Sequence, residues 1–185
     1  MEKQWHSIIL GELTDALSRM DEAQLNDLVD QLTVPGRRVL CVGVGRVLLS
    51  MKAWVKRLCH LGVDINYVGS ESEEPIREND LLLAVSSSGE SIFPVAIAKK
   101  AKSLGATVFY IGCTGGSSID SIADRRLILA GRTKFARPGE IQSIQPMSTL
   151  VEQQLYLLCD AVALEIMARN GWTEETVRHN HANLE

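Results

Sequence analysis

The chain lacks an excess of positive charge: its 185 residues carry 19 Lys and Arg against 23 Asp and Glu, a formal charge of −4. A nucleic-acid surface needs a basic stripe, so no nucleic-acid partner is expected. Long hydrophobic runs are also missing. None reaches the ~18–20 residues that span a bilayer, and no secretory leader is evident at the start. No membrane association is expected, and a cytoplasmic location is. Paired cysteines are absent as well. Cys41, Cys59, Cys113 and Cys159 are widely separated and form no C-x-x-C, which predicts buried, reduced thiols rather than a zinc site or redox motif. No His/Cys cluster has ligand spacing, so no metal is expected. Internal repeats and low-complexity segments are lacking too.

What is present is ordinary globular usage, 45% hydrophobic and 23% charged. The length fits a single domain over residues 1–185, which buries roughly 70% of the unfolded chain's surface. Apolar residues recur at three- and four-residue steps over 4–32, predicting an N-terminal helix that ends at Pro35 and Gly36. From about 37 to 131, short apolar runs alternate with helical patterns. Strands are predicted at 38–43, 63–68, 80–86, 106–111 and 126–130. Helices are predicted at 46–61 and 91–104, with a short one at 117–123. C-terminal helices cover about 147–180, the main one at 149–170 before Gly171. Strands alternating with helices imply βαβ units, and strands apolar on both faces imply a sheet covered on both sides. The fold class is therefore α/β: a three-layer, doubly wound, flavodoxin-like parallel sheet of five strands with long flanking helices. The helix at 149–170 is apolar nearly all round, which implies either core packing or subunit contact.

Ligands of such sheets bind beyond the carboxyl ends of the strands. Two loops lie there. Ser86-Ser87-Ser88-Gly89-Glu90-Ser91 follows the third strand and opens a helix. Its hydroxyls, the turn at Gly89 and the helix N-terminus suit a phosphate without Lys or Arg. The competing reading is that the serines only cap the helix, but one serine suffices for that. Gly43-Val44-Gly45-Arg46 follows the first strand. The third glycine of a dinucleotide fingerprint is missing, since Leu48 holds that position, and no acidic residue ends the second strand. NAD is thus not expected, nor any other cofactor. Thr149-Leu150-Val151-Glu152 has capping-box spacing, so Glu152 reads either as a cap or as a catalytic carboxylate. His60, in the last turn of its helix, reads as structural.

These loops resemble the SIS (sugar isomerase) domain. Four further stretches resemble the 6-phospho-3-hexuloisomerase family within it. They are Arg57-Leu58-Cys59-His60-Leu61-Gly62, Pro138 to Met147 with Gln145-Pro146-Met147, Thr149-Leu150-Val151-Glu152, and His181-Ala182-Asn183-Leu184-Glu185. The resemblance runs from about residue 38 to the end. It implies a metal-independent isomerase that interconverts D-arabino-hex-3-ulose 6-phosphate and fructose 6-phosphate, working as a homotetramer. It also implies substrate and phosphate contacts at Gly45, Arg46, Ser86, Ser87, Ser88 and Ser91, a base at Glu152, and a His at His181 that serves a neighbouring subunit's site. The sequence departs from the family in the first loop, where Val47 and Leu48 stand in place of Ser and Gly. That predicts a less polar and more crowded pocket. Two other functions stay open: a non-catalytic phosphosugar sensor, and an isomerase of another phosphosugar.

Overall fold

A computed structural model describes residues 4–184. Five strands, β1 (Val39–Val42), β2 (Ile65–Tyr67), β3 (Leu81–Val85), β4 (Thr107–Gly112) and β5 (Arg125–Ile128), form one sheet in the order β2-β1-β3-β4-β5. Every pairing is parallel, with Val39 opposite both Ile65 and Leu81, and Leu81 opposite Thr107. β1 and β3 have no exposed residue because both of their faces are covered. On one face pack α2 (Glu22–Leu32), α3 (Gly45–His60) and α5 (Thr149–Asn170), around Leu28, Met51, Trp54, Leu58, Leu155 and Val162. On the other packs α4 (Ile92–Ser103), through Ala98 and Ala101 against Leu82, Ala84 and Val108. The three layers and the five parallel strands agree with the sequence reading.

Two predicted helices are corrected. The helix over 4–32 is two: α1 (Trp5–Ser18) and α2, which Asp21 opens by accepting the amides of Ala23 and Gln24. That cap outweighs the apolar periodicity running through it, because two orphan amides gain a carboxylate acceptor. Residues 117–123 form successive turns rather than a helix. The Ser121 amide donates to the Ser117 carbonyl and the Ala123 amide to the Ile119 carbonyl, and the chain then enters β5.

α3 and α5 run side by side and in the same direction, joined by three contacts spaced along them. Ser50 Oγ donates to the Glu152 carbonyl at 3.0 Å, and Trp54 Nε1 to the Leu155 carbonyl at 2.6 Å. Arg57 pairs with Asp160 at 3.6 Å. This places the N-termini of both helices at the carboxyl edge of the sheet. α5 stops where Gly171 adopts φ 63°, a left-handed conformation open to glycine at no steric cost. α6 (Glu174–His179) follows, with a capping box between Thr173 and Thr176. Among the described residues, no helix is long and apolar enough to cross a membrane.

Candidate active site

β1 and β3 are neighbours in the sheet but lead to connections on opposite faces, so the chain opens a crevice between their carboxyl ends. A cleft of about 500 Å³ lies there. The N-termini of three helices converge on it: Gly45, Arg46 and Val47 from α3, Ser91 before α4, and Ser148, Thr149 and Glu152 from α5. None of the three N-cap residues, Val44, Ser91 and Ser148, makes a side-chain cap hydrogen bond. Their helices therefore direct partial positive charge into the cleft, where it favours an anion.

Between β3 and α4, the hydroxyls of Ser86 and Ser91 lie 3.1 Å apart, and Ser88 Oγ accepts the Glu90 amide at 3.3 Å. Ser91 is the N-cap residue, yet its hydroxyl faces Ser86 instead of capping α4. The capping alternative for this loop thus fails at the position where a cap belongs. The loop is held from behind. Tyr110 Oη donates to the Ser86 carbonyl at 3.2 Å, and the Cys113 amide and Sγ and Thr114 Oγ1 all donate to the Ser87 carbonyl. Burial pushes the Cys113 thiol up to about 12, so it keeps the proton it donates. Glu90 is tied to the amide and hydroxyl of Ser118, which holds its carboxyl below the usual range. Gly89 has φ 65°, and a Cβ there would overlap the Ser117 hydroxyl. At Gly112 a Cβ would overlap the Ser86 carbonyl itself. Both glycines are required for β4 and its exit to approach the loop this closely.

Glu152 is buried, at 8% exposure, in the first turn of α5. Its Oε2 accepts from Arg46 Nε at 2.5 Å and its Oε1 from Ser148 Oγ at 3.0 Å. The capping-box reading of Thr149 and Glu152 is corrected: the N-cap is Ser148, one residue earlier, and the Thr149 hydroxyl donates to the Pro146 carbonyl. The Glu152 carboxylate is thus free of the backbone. It projects into the same cleft as the serine loop, beside a guanidinium.

Of the sequence-derived site residues, Gly45, Arg46, Ser86, Ser87, Ser88, Ser91 and Glu152 all line this cleft. His181 does not. Its ring lies against that of His60, with centroids 4.8 Å apart, and the Asn180 side-chain Nδ2 donates to the His60 carbonyl. His60 ends α3 and Arg46 begins it, so a helix of 16 residues, about 22–24 Å long, separates His181 from Glu152 of the same chain. Of the two departures in the first loop, Val47 lines the cleft and Leu48 does not. Lys134 lines it too. It belongs to no motif, so spacing gave no signal for it.

A family model described as the SIS domain matches residues 37–158. The chain is 35% identical to a 3-hexulose-6-phosphate isomerase of Bacillus subtilis (strain 168), over 96% of this chain and 95% of that relative. It is 30% identical to a 3-hexulose-6-phosphate isomerase of Mycobacterium gastri, over 97% and 89% of the two chains. A hypothetical protein of Methanococcus jannaschii, whose crystal structure infers a 3-hexulose-6-phosphate isomerase function, superposes with a TM-score of 0.82. That pair shares 26% identity over 99% of this chain and all of the other.

Proposed function

The chain belongs to the SIS domain family, and we propose that it is a phosphosugar isomerase converting 3-hexulose 6-phosphate to fructose 6-phosphate. The observation that carries this reading is the sharing of one cleft by a serine loop fit for phosphate and a buried carboxylate free of the backbone. The relatives named above supply the substrate.

In this reading the hydroxyls of Ser86, Ser88 and Ser91 and the N-terminus of α4 bind the phosphate, with Ser87 at the turn and Gly45 giving the sugar room. This fixes the distance from phosphate to carboxylate, so Glu152 meets one particular carbon of the sugar. Glu152 takes the proton from C2, and the C3 carbonyl oxygen takes up the electrons to give an enediolate shared by C2 and C3. The carboxyl then returns the proton to C3, while the hydroxyl proton of O2 passes to O3 and the carbonyl reforms at C2. Arg46, already against Glu152, stabilises the negative charge that develops on the oxygens. The decisive assay follows fructose 6-phosphate formed from 3-hexulose 6-phosphate by coupling it to a downstream dehydrogenase. Binding without turnover would mark a sensor instead.

Replacing Ser86, Ser88 or Ser91 by Ala is expected to weaken fructose 6-phosphate binding by about 1–3 kcal/mol, the scale of a hydrogen bond to a charged group. Folding stability should change by less, about 1 kcal/mol, the net worth of a hydroxyl hydrogen bond such as that between Ser86 and Ser91. Titration calorimetry on the three variants decides. If all three bind like the parent, the phosphate sits elsewhere.

The working form is proposed to be a homo-oligomer, a tetramer by family resemblance. Tyr156 and Leu164 on α5 are 55% and 66% exposed, apolar surface that a second copy would cover. The separation of His181 from Glu152 within a chain supports a His supplied by the neighbour. Inactive Glu152→Gln chains mixed with inactive His181→Ala chains, after dissociation and reassembly, should then regain some activity, because some sites carry both native groups. Absent activity in a verified mixed oligomer would end the shared-site reading.

A further inference from the structure

We propose that Lys134 binds the phosphate dianion of the substrate and makes the site select phosphorylated over neutral sugars. The inference rests on the phosphosugar reading and adds to it a residue that no motif carries.

A phosphate monoester brings roughly −1.5 to −2 charges at neutral pH. The serine loop supplies hydroxyl and amide donors but no formal charge, and of the three helix termini at the cleft only that of α4, about half a charge, opens from the serine loop itself. The surrounding chain is net negative. Two cationic side chains line the cleft, Arg46 and Lys134. Arg46 is neutralised as a pair by the Glu152 carboxylate at 2.5 Å. Among the described residues, Lys134 forms no ion pair; its ammonium stands 5.1 Å from the centre of the Phe135 ring. It is thus the cleft cation with its charge uncommitted.

The chain also holds Lys134 in place. Thr133 is fully buried, and Glu140 grips it twice, accepting its amide at 2.9 Å and its hydroxyl at 2.6 Å. The Phe135 amide donates to Thr133 Oγ1 and the Ala136 amide to the Thr133 carbonyl. A loop clamped on both sides of an exposed lysine fixes where the side chain starts and leaves its ammonium to meet the ligand. Lysine acts on phosphate as a point charge, so its contribution is to binding rather than to proton transfer.

The test compares the parent with Lys134→Met and Lys134→Arg. Steady-state kinetics use 3-hexulose 6-phosphate, and calorimetry uses fructose 6-phosphate with fructose as the neutral control. Lys134→Met is expected to raise KM and the Kd for fructose 6-phosphate by about ten- to a hundred-fold. Its kcat should stay within about three-fold, since only uniform binding is lost. Lys134→Arg should recover most of the affinity, and added salt should narrow the gap between parent and Met variant. Lys134 is exposed, so thermal unfolding of all three should coincide. Lys134→Met binding as tightly as the parent, or losing kcat with KM unchanged, overturns the proposal while isomerase activity of the parent stands. A parent that binds fructose 6-phosphate through Lys134 but does not turn over substrate removes the isomerase reading and keeps Lys134. A parent that binds no phosphosugar removes both.

Discussion

Glu152→Gln is expected to lower turnover by about 10²–10⁴-fold, the usual cost of removing a general base. The substitution keeps size and shape. The Gln amide oxygen still accepts from Arg46 and its NH2 donates to the Ser148 hydroxyl, in place of the two carboxylate oxygens, but it cannot take a proton from carbon. Losing half of an ion pair should cost little stability here, because Arg46 is 66% exposed and water takes over its charge. The unfolding midpoint should therefore stay within about 2–4 °C of the parent, the shift that 1 kcal/mol gives at this chain length. Stopped-time assays beside a thermal melt check both halves. Near-parental turnover would show that Glu152 is no base, and the isomerase mechanism would then need another proton acceptor in the cleft.

The second large effect is expected at Trp54. It is fully buried between α3 and α5. Its indole N–H meets the Leu155 carbonyl, one helical turn beyond the Ser50 contact that fixes the start of α5. Trp54→Ala should destabilise the fold by about 3–5 kcal/mol, through lost transfer energy and the cavity left behind. At this chain length that lowers the midpoint by about 6–20 °C. Trp54→Phe, which keeps most of the packing and loses the hydrogen bond, should cost about 1–3 kcal/mol. Chemical denaturation of the two variants gives the order. Equal stabilities would mean that the α3–α5 contact contributes little, and that the cleft's geometry is set by the sheet alone.

The strands and α5 could be read from the sequence for a physical reason. Buried parallel strands must be continuous apolar runs, and Leu81–Val85 is one. α5 begins and ends where the sequence predicts, because Pro146 and Gly171 leave few alternatives. The misreadings have local causes that a periodic pattern does not record. Asp21 splits the N-terminal helix, although Asp21 with Gln24 three residues on was a visible start signal. Ser148 takes the cap position from Thr149, since both side chains suit it and only geometry selects one. The 117–123 turns follow Gly115 and Gly116, which favour turns over a helix. In the site, the serine loop and Glu152 belong to recognisable spacings. Lys134 does not; it reaches the cleft because Glu140 clamps Thr133, a contact between loop residues that no periodicity records. The position of His181 depends on packing between α6 and α3, which is equally invisible in spacing.

The carbonyls of Ser86 and Ser87 are fixed by Tyr110, Cys113 and Thr114, on β4 and its exit. A chain in which β3 and β4 have not paired therefore has the serines but not the loop geometry proposed to bind phosphate. Ligand binds the native state and not the unfolded one, so substrate acts as a folding ligand. At a hundred times Kd it deepens the native well by about 2.7 kcal/mol, a sizeable share of the 5–15 kcal/mol that holds a typical domain together. On the proposed site, metabolite supply and the lifetime of the folded protein are thereby coupled through the two backbone carbonyls that hold the serine loop.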